Sequence, residues 1–194
     1  MKKPLALALA GLSLALGATV GSAQIRALNL TQMVDAADSG VHATITSSRV
    51  FRVDHPVDGP GLYYTSLTLE GEYLHDGRPV TLDVTFPGGF LNEREGCFNS
   101  EAPSADDCKV GNEVVAFLTW KNDMGGGVAG NALVASHGGL FRTVPGPSGA
   151  TVLGRGEGYA VDRNIRAADL SRAVRRLHQE KLERLERERR PEKR

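Results

Sequence analysis

The stretch Gly111-Asn112-Glu113-Val114-Val115-Ala116-Phe117-Leu118-Thr119-Trp120 decides how this chain folds. Its apolar run is rich in β-branched and aromatic side chains, is entered through Gly-Asn, and does not alternate with polar residues. Such a run predicts a strand buried on both faces. Strand neighbours must then cover it from two sides, and the flanking sequence supplies them.

Upstream, Leu62 to Leu74 alternates: Tyr63, Thr65, Leu67, Leu69 and Tyr73 share one face, and Tyr64, Ser66, Thr68, Glu70 and Glu72 the other. One buried face and one wet face imply antiparallel pairing. His75-Asp76-Gly77-Arg78-Pro79 is hairpin-turn chemistry, and Val80, Leu82, Val84 and Phe86 are the inward positions of the returning strand, which Pro87-Gly88-Gly89 stops. Further back, Val41 to Val53 is a strand whose apolar face is interrupted near Ser47-Ser48, where a bulge is expected. Asn29 and Gln32 form a capping-box pattern for a short helix with Leu30, Met33, Val34 and Ala37 inward and Gly40 beyond it.

Downstream, Gly125, Gly127 and Gly130 satisfy G-x-G-x-x-G formally, but no helix pattern follows and no βαβ unit surrounds it, so the segment reads as a turn. Short strands are expected at 139–144 and 151–153, with a further one at 159–161. From Ala167 a helix keeps one apolar stripe, Leu170, Val174 and Leu177. After His178 it becomes a charged tail with favourable i,i+4 pairs such as Glu180–Arg184, expected to fray in solvent.

Residues 1–23 carry the marks of a secretory signal peptide: Lys2-Lys3, an apolar Leu5–Ala18, and Gly21-Ser22-Ala23 before a cleavage point. The mature chain is therefore expected to be exported, periplasmic or secreted, with no transmembrane segment. In an oxidising compartment Cys97 and Cys108 are expected to form a disulfide that staples the long loop 88–112, with Phe98 tucked under the bridge. The domain plan is a signal peptide (1–23), a β domain (24–166) and a charged C-terminal helix (167–194). The formal net charge of zero hides an asymmetry. Residues 24–171 hold 11 basic and 18 acidic side chains, and residues 172–194 hold 10 basic and 5 acidic. Interleaved glutamates and export argue against nucleic acid. Weak contact with an anionic surface suits the tail better.

The helix ending in Ala36-Ala37-Asp38, the strand Tyr63–Leu69, the Pro87-Gly88-Gly89 stop, Val110–Leu118 and the closing helix Asp169–Leu177 resemble a family of uncharacterised exported bacterial proteins. Their domain is similar to the OB-like barrel of netrin-type and tissue-inhibitor-of-metalloproteinase modules. The resemblance implies a fold, not an activity. Those inhibitors act through a cysteine at the mature N-terminus, whereas Gln24-Ile25-Arg26 would begin this chain and no cysteine precedes Cys97. Strand count and spacing agree on a mainly β protein: a small antiparallel Greek-key (OB-like) barrel with a short N-terminal and a long C-terminal helix, a β-sandwich being the alternative.

No metal-ligand spacing links His42, His55, His75, His137 and His178, and Ser136-His137 lacks the first glycine of a nucleophile elbow. No cofactor motif stands. The expected function is a non-enzymatic binding module for another envelope or extracellular protein. Two alternatives remain: a hydrolase built on dispersed residues such as His137 and Asp123, and a glycan or lipid binder using Tyr63, Tyr64 and Tyr73 as a stacking face.

Overall fold

A computed structural model describes residues 27–189; the signal-peptide reading lies outside the described residues. The capping box forms as expected. Asn29 Oδ1 accepts from the Gln32 amide at 2.9 Å and Gln32 Oε1 accepts from the Asn29 amide at 3.0 Å, starting helix α1 (Leu30–Ala36). The chain then runs through β1 (Ser39–His55), β2 (Gly59–Tyr73), β3 (Pro79–Pro87), the short hairpin β4 (Gly89–Asn92) and β5 (Glu95–Cys97), and β6 (Glu113–Lys121). After β7 (Gly130–Leu133) come a 3-10 turn (Ser136–Gly139), β8 (Leu140–Gly146), β9 (Gly149–Val152), β10 (Ile165–Arg166) and α2 (Ala167–Arg189).

Five strands close on themselves in the order β1-β2-β3-β7-β6, with β6 pairing back to β1, and β8, β9 and β10 extend the sheet from β6. This is a closed OB-like barrel and not a sandwich. One seam departs from the antiparallel expectation: β3 and β7 are parallel and meet only at Val84 and Asn131. The side chain there reinforces the ladder, since Asn131 Nδ2 donates to the Asp83 carbonyl at 2.9 Å. Gly71 of β2 lies so close to β1 that a Cβ would stand 2.1 Å from the His42 carbonyl oxygen, so no other residue fits there.

β6 is buried on both faces, as its sequence requires. Val114, Ala116 and Leu118 point into the barrel with Ile45, Leu67, Leu69 and Val84. Val115 and Phe117 point outward into a second core, made by α1, α2, Phe141 and Val152. Trp120, at the end of the run, is 56% exposed. The expected strand at 159–161 is a turn, and the register is taken up by Ile165–Arg166 instead, which pair with Val152 and Thr151.

The charged helix does not stand free. Lys181 Nζ donates to the carbonyls of Val34 (3.1 Å) and Ala37 (2.7 Å) at the end of α1, and Arg184 pairs with Asp35 at 2.7 Å. Arg184 thus spends its charge on α1 rather than on Glu180. α2 stays helical to Arg189, against the expected fraying after His178. No helix among the described residues is long and apolar enough to cross a membrane.

Candidate functional site: an apolar cleft beside the barrel

The bulge expected in β1 falls between Ile45 and Ser47. Beyond it the β1–β2 ribbon leaves β6 and projects past the barrel. Loop 88–112 covers one face of this ribbon and encloses a cleft of about 820 Å³, within the range typical of ligand pockets.

The floor is Ser48, Val50, Thr65 and Phe86. Two glycines let the loop lie directly on it. Gly89 (φ +134°) leaves no room for a Cβ, which would stand 2.5 Å from Thr65 Oγ1 and 3.0 Å from both Val50 methyls. Thr65 Oγ1 donates to the Gly88 carbonyl at 2.7 Å, a buried bond that fixes where the loop leaves β3. One wall is the β4–β5 hairpin, held by Glu95, whose carboxylate accepts from Arg52 Nη1 (3.1 Å) and Tyr63 Oη (3.3 Å). The Arg52 guanidinium is held further above its already high value by hydrogen bonds to Asp54 and then Glu95.

The opposite wall is the turn 99–112. Asn112 Nδ2 donates to the carbonyls of Asp106 (2.7 Å) and Asp107 (3.2 Å), and Ser104 receives the Asp107 and Cys108 amides. At the far end Arg155 donates to the Leu140 carbonyl (2.8 and 3.0 Å) and to Asp107 (3.3 Å), beside His137. His137 sits on a strained turn, because Ala135 and Ser136 both adopt φ of 55°, the left-handed region. Glu101 holds that turn. Its carbonyl accepts from the His137 amide (3.0 Å) and its carboxylate from Ser136 Oγ (3.2 Å).

The expected disulfide is not formed. Cys97 and Cys108 are free thiols on different walls of the cleft. Cys97 ends β5 and is exposed, whereas Cys108 packs against the barrel core as a small apolar group. Burial, and then the neighbouring Asp107 charge, push the Cys108 thiol up to about 12. The loop is held by Thr65, Asn112 and Arg155, and by Asn99, whose Nδ2 donates to the Pro87 carbonyl at 2.9 Å, instead of by a staple. Phe98, expected under the bridge, is 78% exposed at the cleft mouth, with Phe90 (56%) and Val110 (59%) around it.

The three tyrosines do not form one platform. Tyr64 is buried, stacked on Phe51, and donates to the Met124 and Gly125 carbonyls on the opposite side of β2 from Thr65. Tyr63 is tied to Glu95, and Tyr73 packs against the barrel core about 33 Å further along the strand at ~3.3 Å per residue. Nor are His137 and Asp123 brought together. Asp123 braces its own turn through the Gly125 (2.8 Å) and Gly127 (3.2 Å) amides on the Tyr64 side, and His137 lines the cleft. Ser136 Oγ donates directly to Glu101, with no imidazole between them, and the bond locks the turn. Among the described residues no group of three His, Cys, Asp or Glu is placed to hold a metal ion.

Sequence reading passed over Phe90, Val110 and Arg155. A signal for Phe90 and Val110 existed: like Phe98, they are large apolar residues in a glycine-rich loop with no strand period to bury them. Comparison with protein-family models, with curated proteins and with solved structures gives no match to this chain.

Proposed function

We propose that this chain is an exported, non-catalytic binding module of the kind its sequence resembles, and that it takes an apolar segment of another envelope or extracellular protein into the cleft between the β1–β2 ribbon and loop 88–112. One observation carries the reading. Phe90, Phe98 and Val110 stand 56–78% exposed around a single cleft, on a loop that many hydrogen bonds hold in place. A clustered apolar patch with a polar rim is the mark of an interaction surface, whereas scattered exposed apolar residues carry no such meaning. The polar end at Arg155 is already neutralised by Asp107, which favours an uncharged apolar insert over an anionic one.

The test is in-cell cross-linking of the exported chain, comparing wild type, the double variant Phe98→Ser/Val110→Ser, and a chain ending before Ala167. A discrete partner held by wild type and lost by the double variant, with its thermal unfolding unchanged, supports the cleft. A partner kept by the double variant and lost on truncation moves the interface to α2 and overturns the reading. Capture of no discrete partner by wild type also overturns it.

A further inference from the structure

β1 pairs with β2 from Val41 to His55 but with β6 only from Ser39 to Thr44. The last backbone bonds on that side are Ile45 N–H to Asn112 O (2.9 Å) and Gly111 N–H to Ile45 O (2.8 Å). Ile45 therefore turns both of its backbone polar groups away from β2. The bulge shifts the pattern by one residue, so Ser48, Val50 and Arg52 do the same beyond it. The partner strand agrees: Tyr63, opposite Arg52, accepts from the Gly88 amide on the β3 side (2.7 Å) and so does not exchange bonds with β1. Among the described residues no backbone group reaches the outward N–H and C=O groups of Ser48, Val50 and Arg52. In a strand, residues sharing an edge also share a face, and the side chains of Ser48 and Val50 line the cleft floor. The open edge and the apolar cleft are thus one groove.

Resting on the reading of this cleft as the binding site, we propose that the partner enters it as an added β-strand, an extended acidic–apolar peptide paired with the free edge of β1 from Ser47 to Val53. This edge runs for about 20 Å, room for some six or seven extended residues. Alternate side chains of the peptide fall into the cleft against Val50, Phe86, Phe98 and Val110, and the intervening ones fall on the face of Arg49. Arg49 is exposed, lies 5.4 Å from the Phe51 ring, and has no carboxylate partner among the described residues, whereas Arg52 already has Asp54 and Glu95. Charge complementarity therefore asks for a glutamate or aspartate opposite Arg49, a cross-strand pair on the solvent face. Main-chain pairing supplies affinity and the alternate pockets supply selectivity, as in other strand-addition sites.

The experiment uses a labelled, end-blocked heptapeptide alternating leucine or valine with glutamate, and the same peptide N-methylated at alternate residues so that its amides cannot donate to β1. Binding is read by fluorescence anisotropy on the purified chain, and site by amide hydrogen exchange. The expected result is binding of the parent, a loss of about tenfold or more on N-methylation, and new protection at Ser48, Val50 and Arg52. Arg49→Glu should weaken the glutamate peptide and favour its lysine counterpart. Equal binding of both peptides, or protection elsewhere, overturns strand addition and leaves the cleft standing. So does uptake of the apolar dye anilinonaphthalene sulfonate with no peptide binding. Concentration-dependent protection of the same amides without peptide also overturns it, assigning the edge to a second copy of the chain. Failure of dye and peptide together removes the cleft as a binding site.

Discussion

Replacing Phe117 by alanine tests whether one strand serves two cores. Phe117 is 1% exposed and points away from the barrel, packing edge-on against Phe141 with ring centroids 6.3 Å apart at 90°. It closes the space between β6, Gly40 and Leu74 beneath α1. Removing a buried phenylalanine costs about 3–5 kcal/mol, from lost transfer energy and the cavity left behind. The site has little means to collapse, because β6 is fixed on both edges by β1, β7 and β8. The upper part of that range is therefore expected. A cycle with Phe141→Ala should show a coupling of about 0.5–1.5 kcal/mol, from the edge-to-face pair.

The assay is urea unfolding followed by far-ultraviolet circular dichroism, with Phe117→Leu as the milder member should Phe117→Ala exhaust a stability of about 5–15 kcal/mol. Hydrogen exchange supplies the second readout: α1 and α2 should lose protection before β2 and β3, because Phe117 belongs to the helix-side core. A cost below about 1 kcal/mol, or protection lost first in the barrel strands, would refute the two-core account of β6.

Other perturbations separate the remaining claims. Reduced protein treated with a thiol reagent near pH 8 should react in two phases, exposed Cys97 fast and Cys108 at least tenfold slower, because Cys108 is largely buried and its thiol, pushed up from 9.0 to about 12, holds little thiolate; a single fast phase for both thiols would count against the packing of Cys108. His178 is held below its ordinary 6.5 by burial first, then by His75 and Lys181, with Asp76 opposing, so the unfolded chain binds more protons as pH falls through 6.5. Stability should therefore decline on acidification through that window, while the lowered carboxyls of Asp76 and Asp169 act only below 3.8; His178→Gln should flatten the decline, and an unchanged slope would show that the buried His178 is not the source. Asn29→Ala should cost about 1 kcal/mol by removing the capping box, read in the same unfolding assay, and no loss would mean that α1 is held by packing alone. Gly71→Ala should prevent folding or cost several kcal/mol, since its Cβ would meet backbone at 2.1 Å; a soluble variant with wild-type thermal unfolding would argue against the close crossing of β1 and β2.

The parts that were legible in the sequence are those set by period. Alternation gave β2 its faces from Leu67 to Tyr73, whereas Tyr64 and Ser66, expected on the wet face, are buried; the double-sided run Val114–Leu118 gave β6 its central place. The interruption at Ser47-Ser48 marked the bulge within a residue or two. What period could not give was pairing at a distance. Nothing local in Gly130–Leu133 announces a strand, because its four residues are held by β6 on one side and by a single parallel contact with β3 on the other. The cysteines misled for a related reason: even count and compartment say that two thiols can be bridged, but not which way each segment faces once Thr65 and Asn112 have fixed it.

The same distinction explains why the cleft was hard to see. Barrel closure needs β1 and β6 to pair, yet β1 runs eleven residues past Thr44, and that surplus length has no role in closing the barrel. A strand longer than its neighbour exposes an edge, and natural proteins blunt such edges with charge or cover them. Here Arg49, which has no carboxylate partner among the described residues, supplies charge, which keeps like edges apart. Loop 88–112 pairs with this edge only at Ile45, through Gly111 and Asn112, and shelters the inner face beyond it. Gly89 brings the start of the loop directly onto Val50, while Phe98 and Val110 line the cleft and stay exposed rather than fill it. A chain selected only for stability would let the loop settle onto β1 and bury those side chains. Keeping them apart forgoes about 1.5–3 kcal/mol for each large apolar side chain left in water, a cost that the occupant proposed for the cleft would offset by covering Phe98 and Val110.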